Sequence, residues 1–248
     1  MSTSTLYYSE TGVEVHCGRV EDVLATIDPK TVDMLSADPP YGINFNPERG
    51  RGSKSSTKSA DGVYGKKWPK VEGDNKPFDP AQLLAMNRPT VLWGANNFAS
   101  RLPDSGGWIV WDKKRGGTTG KGHHSSDCEL AWTNIGRSVK TFSYFWDGFR
   151  RAGEVGLHLH PCQKPAALYS WLFAWRTKPG DLIVAPYAGS GPDVLAARNL
   201  GRRIIAIECV EGYCETIKQR LVNAPILPAF APPPIETTPA QRTFFGAA

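Results

Sequence analysis

Thr31-Val32-Asp33-Met34-Leu35-Ser36-Ala37-Asp38-Pro39-Pro40-Tyr41 is the stretch around which the other segments of this 248-residue chain fall into order. Thr31 to Ala37 is short, apolar and partly β-branched, which predicts a buried strand. The strand should stop at Asp38, because Pro39 and Pro40 donate nothing to a sheet ladder and stiffen the turn. An acid, two prolines and an aromatic ring are thus expected at the carboxyl end of a strand, where open α/β sheets place their chemistry.

Asp-Pro-Pro-Tyr is suited to modifying an exocyclic amino group on a base. Such a nitrogen is a poor nucleophile because its lone pair is delocalised into the ring. The Asp38 carboxylate can accept one N–H and the Pro39 carbonyl the other, drawing the nitrogen towards tetrahedral geometry with its lone pair facing a methyl donor. Pro40 keeps the turn rigid, and Tyr41 offers a flat face on which a base can stack, worth roughly 1–3 kcal/mol. Read blandly, the same four residues are only a turn after a strand. The tetrapeptide alone leaves both readings open.

The chain is long enough to bury a full core, and a single domain over 1–224 is expected. A hydrophobic fraction of 40% with 21% charged residues is that of a globular protein in water. No apolar run is long enough to span a bilayer, and the N-terminus lacks the pattern of a signal peptide, so cytoplasmic residence is the expectation. Five scattered cysteines without a CxxC pair indicate neither a disulfide framework nor a zinc site. His123 and His124 are adjacent in sequence, with no third ligand at useful spacing, so no metal is expected. The net charge of +5 is compatible with a polyanionic partner.

In chain order, residues 6–17 read as a hairpin turning at Glu10-Thr11-Gly12, and residues 20–27 have helical spacing. Residues 44–80 lose all apolar period and are expected to be a mobile loop. Within it, positions 49–70 hold seven Lys or Arg against Asp61 alone. A second Gly-rich basic loop spans 112–127. Arg49, Arg51, Lys54, Lys66 and Lys67 in the first loop, and Lys113, Lys114 and Arg115 in the second, are the candidate contacts to a phosphate backbone. Strands are expected at 89–94, 107–112, 128–132 and 139–146, and a helix beginning at Pro165. The tail from Pro225 to Ala248 is rich in Pro and Ala and is expected to be disordered.

Asp181 to Gly191 reads as a strand running through Pro186 and Tyr187 into the tight turn Gly189-Ser190-Gly191. A helix over 193–199 and a strand over 202–208 follow, the strand ending in Glu208. This is the layout of a nucleotide-type cofactor site: the glycines let backbone amides approach the ligand and the acid takes ribose hydroxyls. Val194 stands where the third glycine of a dinucleotide fingerprint would be, which argues against a simple NAD site.

Taken together, DPPYG at 38–42, HPxQKP at 160–165, PYAGSG at 186–191 and Glu208 resemble the amino-group DNA methyltransferases that use S-adenosylmethionine, over roughly residues 6–222. The catalytic block precedes the cofactor block, as in the permuted β-type members, and the compact length resembles phage or prophage enzymes. The resemblance implies a Rossmann-like α/β fold with a seven-stranded, mostly parallel sheet flanked by helices, circularly permuted and without metal. It implies methyl transfer to N6 of adenine in double-stranded DNA, since DPPY points to adenine more often than to cytosine. Transfer to N4 of cytosine, or a degenerate member that only binds DNA, are the alternatives. Asp38, Pro39, Pro40 and Tyr41 would form the catalytic pocket. Gln163, Lys164 and Pro165 would lie near the methionine end of the cofactor, with Pro186, Tyr187, Gly189, Ser190 and Gly191 beneath it and Glu208 on the ribose. Ala185-Pro186-Tyr187 replaces the family's usual Asp-Pro-Phe, and Pro192-Asp193 its usual threonines, so Asp193 is expected to bear on cofactor affinity. Pro161-Cys162-Gln163 also mimics the nucleophile motif of cytosine-C5 methyltransferases, but the block order is wrong for that family and Cys162 is read as a residue at the start of a helix.

Overall fold

In the computed structural model, which describes residues 4–46, 69–114, 126–147, 150–154 and 158–224, the chain opens with the expected hairpin. Strands β1 (Thr5–Glu10) and β2 (Val13–Cys17) pair antiparallel across Thr11-Gly12, where Gly12 adopts φ +78°. Helix α1 (Val20–Leu24) buries Val20, Val23 and Leu24. Strand β3 (Met34–Ala37) is shorter than the apolar run suggests, because Pro29–Thr31 form a 3-10 turn. The Asp28 carboxylate accepts the Lys30 N–H and holds that turn, so three residues are lost from the strand.

Helix α2 (Ala81–Ala85) leads to β4 (Thr90–Trp93), followed by β5 (Gly107–Asp112), β6 (Cys128–Thr133) and β7 (Lys140–Ser143). The strand expected over 139–146 breaks after Ser143, and Trp146–Asp147 (β8) pairs instead with Arg150–Arg151 (β9) as a separate ribbon. Then come α3 (Ala166–Arg176), β10 (Leu182–Pro186), α4 (Pro192–Asn199), β11 (Arg203–Glu208) and α5 (Glu211–Asn223). Helices α2 and α5 have no counterpart in the sequence reading; each buries a narrow stripe, Leu83 in α2 and Cys214, Ile217 and Leu221 in α5.

The main sheet has the order β1-β2-β11-β10-β3-β4-β6-β5-β7. It has nine strands among the described residues, where the resemblance implies seven; hairpin strand β1 adds one edge and β7 forms the other. The block β2-β11-β10-β3-β4 is parallel throughout, and β6 runs against both β4 and β5. Alternation along the central strands sorts side chains into two layers. Met34, Val91, Trp93, Ile183 and Ala185 face α3, α4 and α5, while Leu35, Ala37, Leu92 and Val184 pack with α1, Leu83 and Phe98.

Chain direction sets the position of the site. From β3 the chain moves to β4 on one side, and from β10 to β11 on the other. Neighbours β10 and β3 therefore flank a point where the winding reverses, and a crevice opens beyond their carboxyl ends. Asp38 leaves β3 there and Ala188 to Gly191 leave β10 there. Among the described residues no helix is long and apolar enough to cross a membrane.

Candidate active site

The turn after β3 presents Asp38 in a partly buried ionic cluster around the buried Lys164. Lys164, at the start of α3, donates from its ammonium to Oδ1 of Asp38 at 2.7 Å and to the Tyr41 hydroxyl at 2.9 Å. It also pairs with Oε2 of Glu129 at 3.0 Å, so all three of its N–H donors have partners. The Tyr41 hydroxyl donates to the same Oδ1 at 2.8 Å. Both partners of Asp38 thus take one oxygen, and among the described residues none bonds Oδ2. Nor does any described N–H donate to the carbonyl of Pro39, a buried residue.

The charges follow from this packing. Burial alone would lower the Lys164 pKa, but the Asp38 and Glu129 carboxylates outweigh it and hold the ammonium charged well above its ordinary range. Burial likewise opposes ionisation of Glu129, yet Lys164 and Lys113 bring it down to about 2. Burial and the Glu129 charge raise the Asp38 pKa, against the pull of Lys164.

Two further segments shape this pocket. The Tyr41 ring fills the space where residue 94 would carry a Cβ: an added methyl would stand 2.0 Å from Cε1, and Gly94 has φ +69°. Beyond Tyr41, the Asp74 carboxylate accepts the N–H groups of Gly42, Ile43 and Phe45 at 2.6–3.3 Å. Asp74 and Phe78 are buried, so residues 69–80 are anchored to the core rather than the mobile loop expected there. The tight approach of Gly42 to the Lys76 carbonyl, with φ +75°, belongs to the same anchor.

Across the crevice the glycine turn is wound tightly. Tyr187, Gly189 and Gly191 all have φ between +54° and +70°. A Cβ on Gly191 would strike Ile217 of α5 at 2.8 Å, whereas one on Gly189 would meet only the His160 ring, at 3.7 Å. The Tyr187 ring turns away from the turn to pack edge-on against Phe78. Glu208 accepts the Gly189 N–H at Oε2 and the Val210 N–H at Oε1, both at 2.8 Å, which leaves further acceptor capacity on each oxygen. Burial raises its pKa. Ser190 Oγ is buried without a hydrogen-bond partner. An open cradle at Gly189, an acid at the next strand end and an orphaned hydroxyl fit a polar, nucleoside-bearing cofactor.

The HPxQKP segment divides its work. His160 lies over Gly189 and meets Tyr213 edge-on at 4.6 Å; burial and the Lys164 charge lower its pKa to about 4, so its Nδ1 is free to accept the Cys162 N–H. Gln163 uses its amide within the chain, donating to Glu154 at 2.9 Å and accepting from Leu159 N–H at 2.9 Å. Pro165 caps α3. Lys164 reaches Asp38 as described, and Cys162 is exposed.

Asp193 does not project as a free carboxylate. It is buried in the first turn of α4, where Oδ1 accepts the Val194 N–H at 2.8 Å. Burial raises its pKa to about 7, against 3.8 for an ordinary Asp. The folded state then holds a proton that the unfolded chain releases, so Asp193 costs stability increasingly from about pH 4 to about pH 7, and the cost stays above that. Asp193→Asn keeps the acceptor, and chemical denaturation at pH 8 should find it more stable than the parent by on the order of 1–4 kcal/mol, with the gap closing below pH 4.

Of the candidate phosphate contacts, Lys113 pairs with Oε1 of Glu129 at 3.0 Å and lies over the Trp111 ring, and the Lys114 N–H donates to Asp112. Arg49, Arg51, Lys54, Lys66, Lys67 and Arg115 lie outside the described residues, as does the 225–248 tail. Sequence reasoning missed Glu129, Tyr213, Asp74 and Gly94, and gave His160 no role beyond its place in HPxQKP. Glu129 had one signal, an acid inside the otherwise apolar strand Cys128–Thr133.

Comparison with known proteins shows the family and the fold. The chain is 25% identical to the type II methyltransferase M2.LlaDCHI of Lactococcus lactis subsp. cremoris, over 89% of this chain and 93% of that protein. It is 26% identical to the type II methyltransferase M2.DpnII of Streptococcus pneumoniae, over 80% and 85% respectively. In fold it is similar to the PvuII cytosine-N4-specific DNA methyltransferase, with a TM-score of 0.55 at 14% identity over 91% of this chain and 93% of that one. It is also similar to M1.HpyAVI in its SAM complex, with a TM-score of 0.51 at 21% identity, covering 84% and 99%. The N6/N4 methyltransferase model, described as DNA methylase, matches residues 52–219, and the chain belongs to that DNA methylase family.

Proposed function

We propose that this DNA methylase transfers a methyl group from S-adenosylmethionine to N6 of adenine in double-stranded DNA. The observation that carries the reading is the state of Asp38: Oδ1 is held by Lys164 and Tyr41, while among the described residues no donor reaches Oδ2 or the Pro39 carbonyl. Two acceptors beside a nucleotide-type cradle match the two hydrogens of an exocyclic amine.

The cofactor supplies an electrophilic methyl. Gly189, Ser190 and Gly191 would receive it along the turn, with Glu208 on ribose hydroxyls and His160 and Tyr213 alongside. The chain's own residues prepare the nucleophile. Asp38 Oδ2 accepts one N–H of the amine and the Pro39 carbonyl accepts the other, which localises the nitrogen lone pair. As the N–CH3 bond forms and the methyl–sulfonium bond breaks, the proton that the nitrogen loses would leave along its hydrogen bond to Asp38 Oδ2. Tyr41 supplies a stacking surface for the base, fixed in place by Gly94 and the Lys164 hydrogen bond. Lys164 favours the accepting, ionised form of Asp38, against the burial and the Glu129 charge that raise its pKa. The base must leave the duplex to reach Asp38, at a cost of a few kcal/mol. Acceleration comes from positioning and preorganised polar groups, without a covalent intermediate.

The test is transfer of labelled methyl to unmethylated DNA, followed by digestion to nucleosides. Label in N6-methyladenine is the expected result. Label in N4-methylcytosine, the product named for the PvuII enzyme of similar fold, would keep the pocket chemistry and change the base. Label in 5-methylcytosine, or none with DNA bound, would overturn the reading.

A further inference from the structure

We propose that Glu129 is a positioning residue of the methyl transfer: by dividing its two oxygens between Lys113 and Lys164 it holds the Lys164 ammonium against Oδ1 of Asp38 and so leaves Oδ2 directed at the target amine. This rests on the reading of Asp38 as the acceptor of that amine. The geometry is specific. Glu129 projects from β6, two strands away from β3 in the sheet, and the strand between them, β4, ends in Trp93 and Gly94 under the Tyr41 ring. Its Oε1 meets Lys113, just after β5, at 3.0 Å and its Oε2 meets Lys164, just before α3, at 3.0 Å. The Tyr41 hydroxyl stands 3.5 Å from the same Oε2.

Without Glu129 the Lys164 ammonium would keep two of its three acceptors, Asp38 Oδ1 and the Tyr41 hydroxyl, and would be free to rotate towards either carboxylate oxygen. A lysine bridging both oxygens of Asp38 blocks the position the amine must take. Glu129 prevents this by occupying the third donor from the opposite side. Lys113 in turn balances Glu129, so the cluster Asp38, Glu129, Lys113 and Lys164 is neutral as a whole. A partly buried pair of acids alternating with a pair of bases is costly to assemble, and it is justified by what it orients rather than by the stability it adds.

The charged and titratable groups that face Asp38 are Lys164 and Tyr169 from α3, Glu129 from β6, Tyr41 from its own turn, Asp193 from α4 and Cys162. Lys113 acts through Glu129. Glu129→Gln removes a negative charge near Asp38, so the acid limb of the single-turnover rate should move to lower pH. Lys113→Met leaves Glu129 unbalanced, so the limb should move to higher pH. The two variants are expected to shift in opposite directions, which a loss of packing would not produce.

The experiment is single-turnover methyl transfer to unmethylated genomic DNA at saturating S-adenosylmethionine and DNA, across pH, with cofactor binding measured by calorimetry. Glu129→Gln is expected to lower the rate about 10- to 100-fold with cofactor affinity retained, together with the downward shift. A normal rate with an unmoved limb, or a reduced rate with an unmoved limb, overturns the proposal. Should Glu129→Gln fail to fold, Lys113→Met decides: an upward shift supports the proposal and an unchanged profile overturns it. Asp38→Ala measured alongside separates the two levels. If that variant still transfers methyl, the reading of Asp38 fails; if it is inactive while Glu129→Gln and Lys113→Met behave as the parent, only the role of Glu129 fails.

Discussion

Asp38→Ala is expected to lower single-turnover methyl transfer by at least about 10²–10³-fold while leaving cofactor binding close to normal. In the proposed mechanism the side chain supplies one of the two acceptors for the target amine, and removing an acceptor that matters most in the transition state is costly. Cofactor affinity should persist because Gly189, Ser190 and Glu208 lie at or just beyond the ends of other strands, β10 and β11, and share no hydrogen bond with Asp38. Asp38→Asn is the sharper form of the test. Lys164 and Tyr41 both donate to Oδ1, so they would select the amide oxygen and turn the NH2 group to the place of Oδ2. The target amine would then face a donor instead of an acceptor. Asparagine should therefore be as damaging as alanine, although it has nearly the size of aspartate. If Asp38→Asn retained most of the rate, Oδ2 would not be the acceptor.

The second large effect should come from a residue that touches no substrate. Gly94→Ala places a methyl 2.0 Å from Cε1, 2.3 Å from Cζ and 2.4 Å from Cδ1 of Tyr41, far inside any permitted contact. The backbone cannot relax easily, since φ at Gly94 is +69°, a conformation that costs a non-glycine residue roughly 1–2 kcal/mol. The ring has to move. Moving it breaks the hydroxyl's bond to Asp38 and its bond from Lys164, and displaces the surface on which the base would stack. A displacement of about 1 Å in such a site costs on the order of 10²-fold in rate. Methyl-transfer rate and thermal unfolding measured together check this: the rate should fall by about that factor with only a modest loss of stability. A folded Gly94→Ala enzyme with the parent rate would show that Tyr41 does not need its present position.

Ionisation explains why these positions matter together. Lys164 stays charged and Glu129 ionised at neutral pH because each is surrounded by the opposite charge, whereas Asp38 is raised by burial and by Glu129. The cluster is balanced so that small changes in its membership move Asp38, which is the basis of the opposed shifts expected for Glu129→Gln and Lys113→Met. Asp193 is a different case: it is buried in its own helix turn and neutralised in part by its raised pKa, so the charge that the sequence places beside the cofactor turn is muted in the fold.

The sequence by itself determined the parts whose signal is local. Pro39-Pro40 ended β3 before Asp38, apolar runs marked the parallel strands, and the Gly189-Ser190-Gly191 turn followed by Glu208 marked the turn and acid proposed to hold the cofactor, because proline, glycine and apolar alternation constrain the backbone within a few residues. Several features were decided only by the tertiary structure. Glu129, 91 residues from Asp38 in the chain, reaches the pocket because β6 lies one strand beyond β4 in the sheet order, and Lys113 turns inward to it rather than out to a phosphate. Lys164 faces Asp38 because the segment leading into α3 reaches the turn after β3. Gly94 is required because the Tyr41 ring lies on it, and Asp74 because three N–H groups beyond Tyr41 converge on its carboxylate. Local chemistry specifies where strands and turns begin and end; which charges meet depends on the order in which the sheet assembles its strands, and no spacing along the chain records that order.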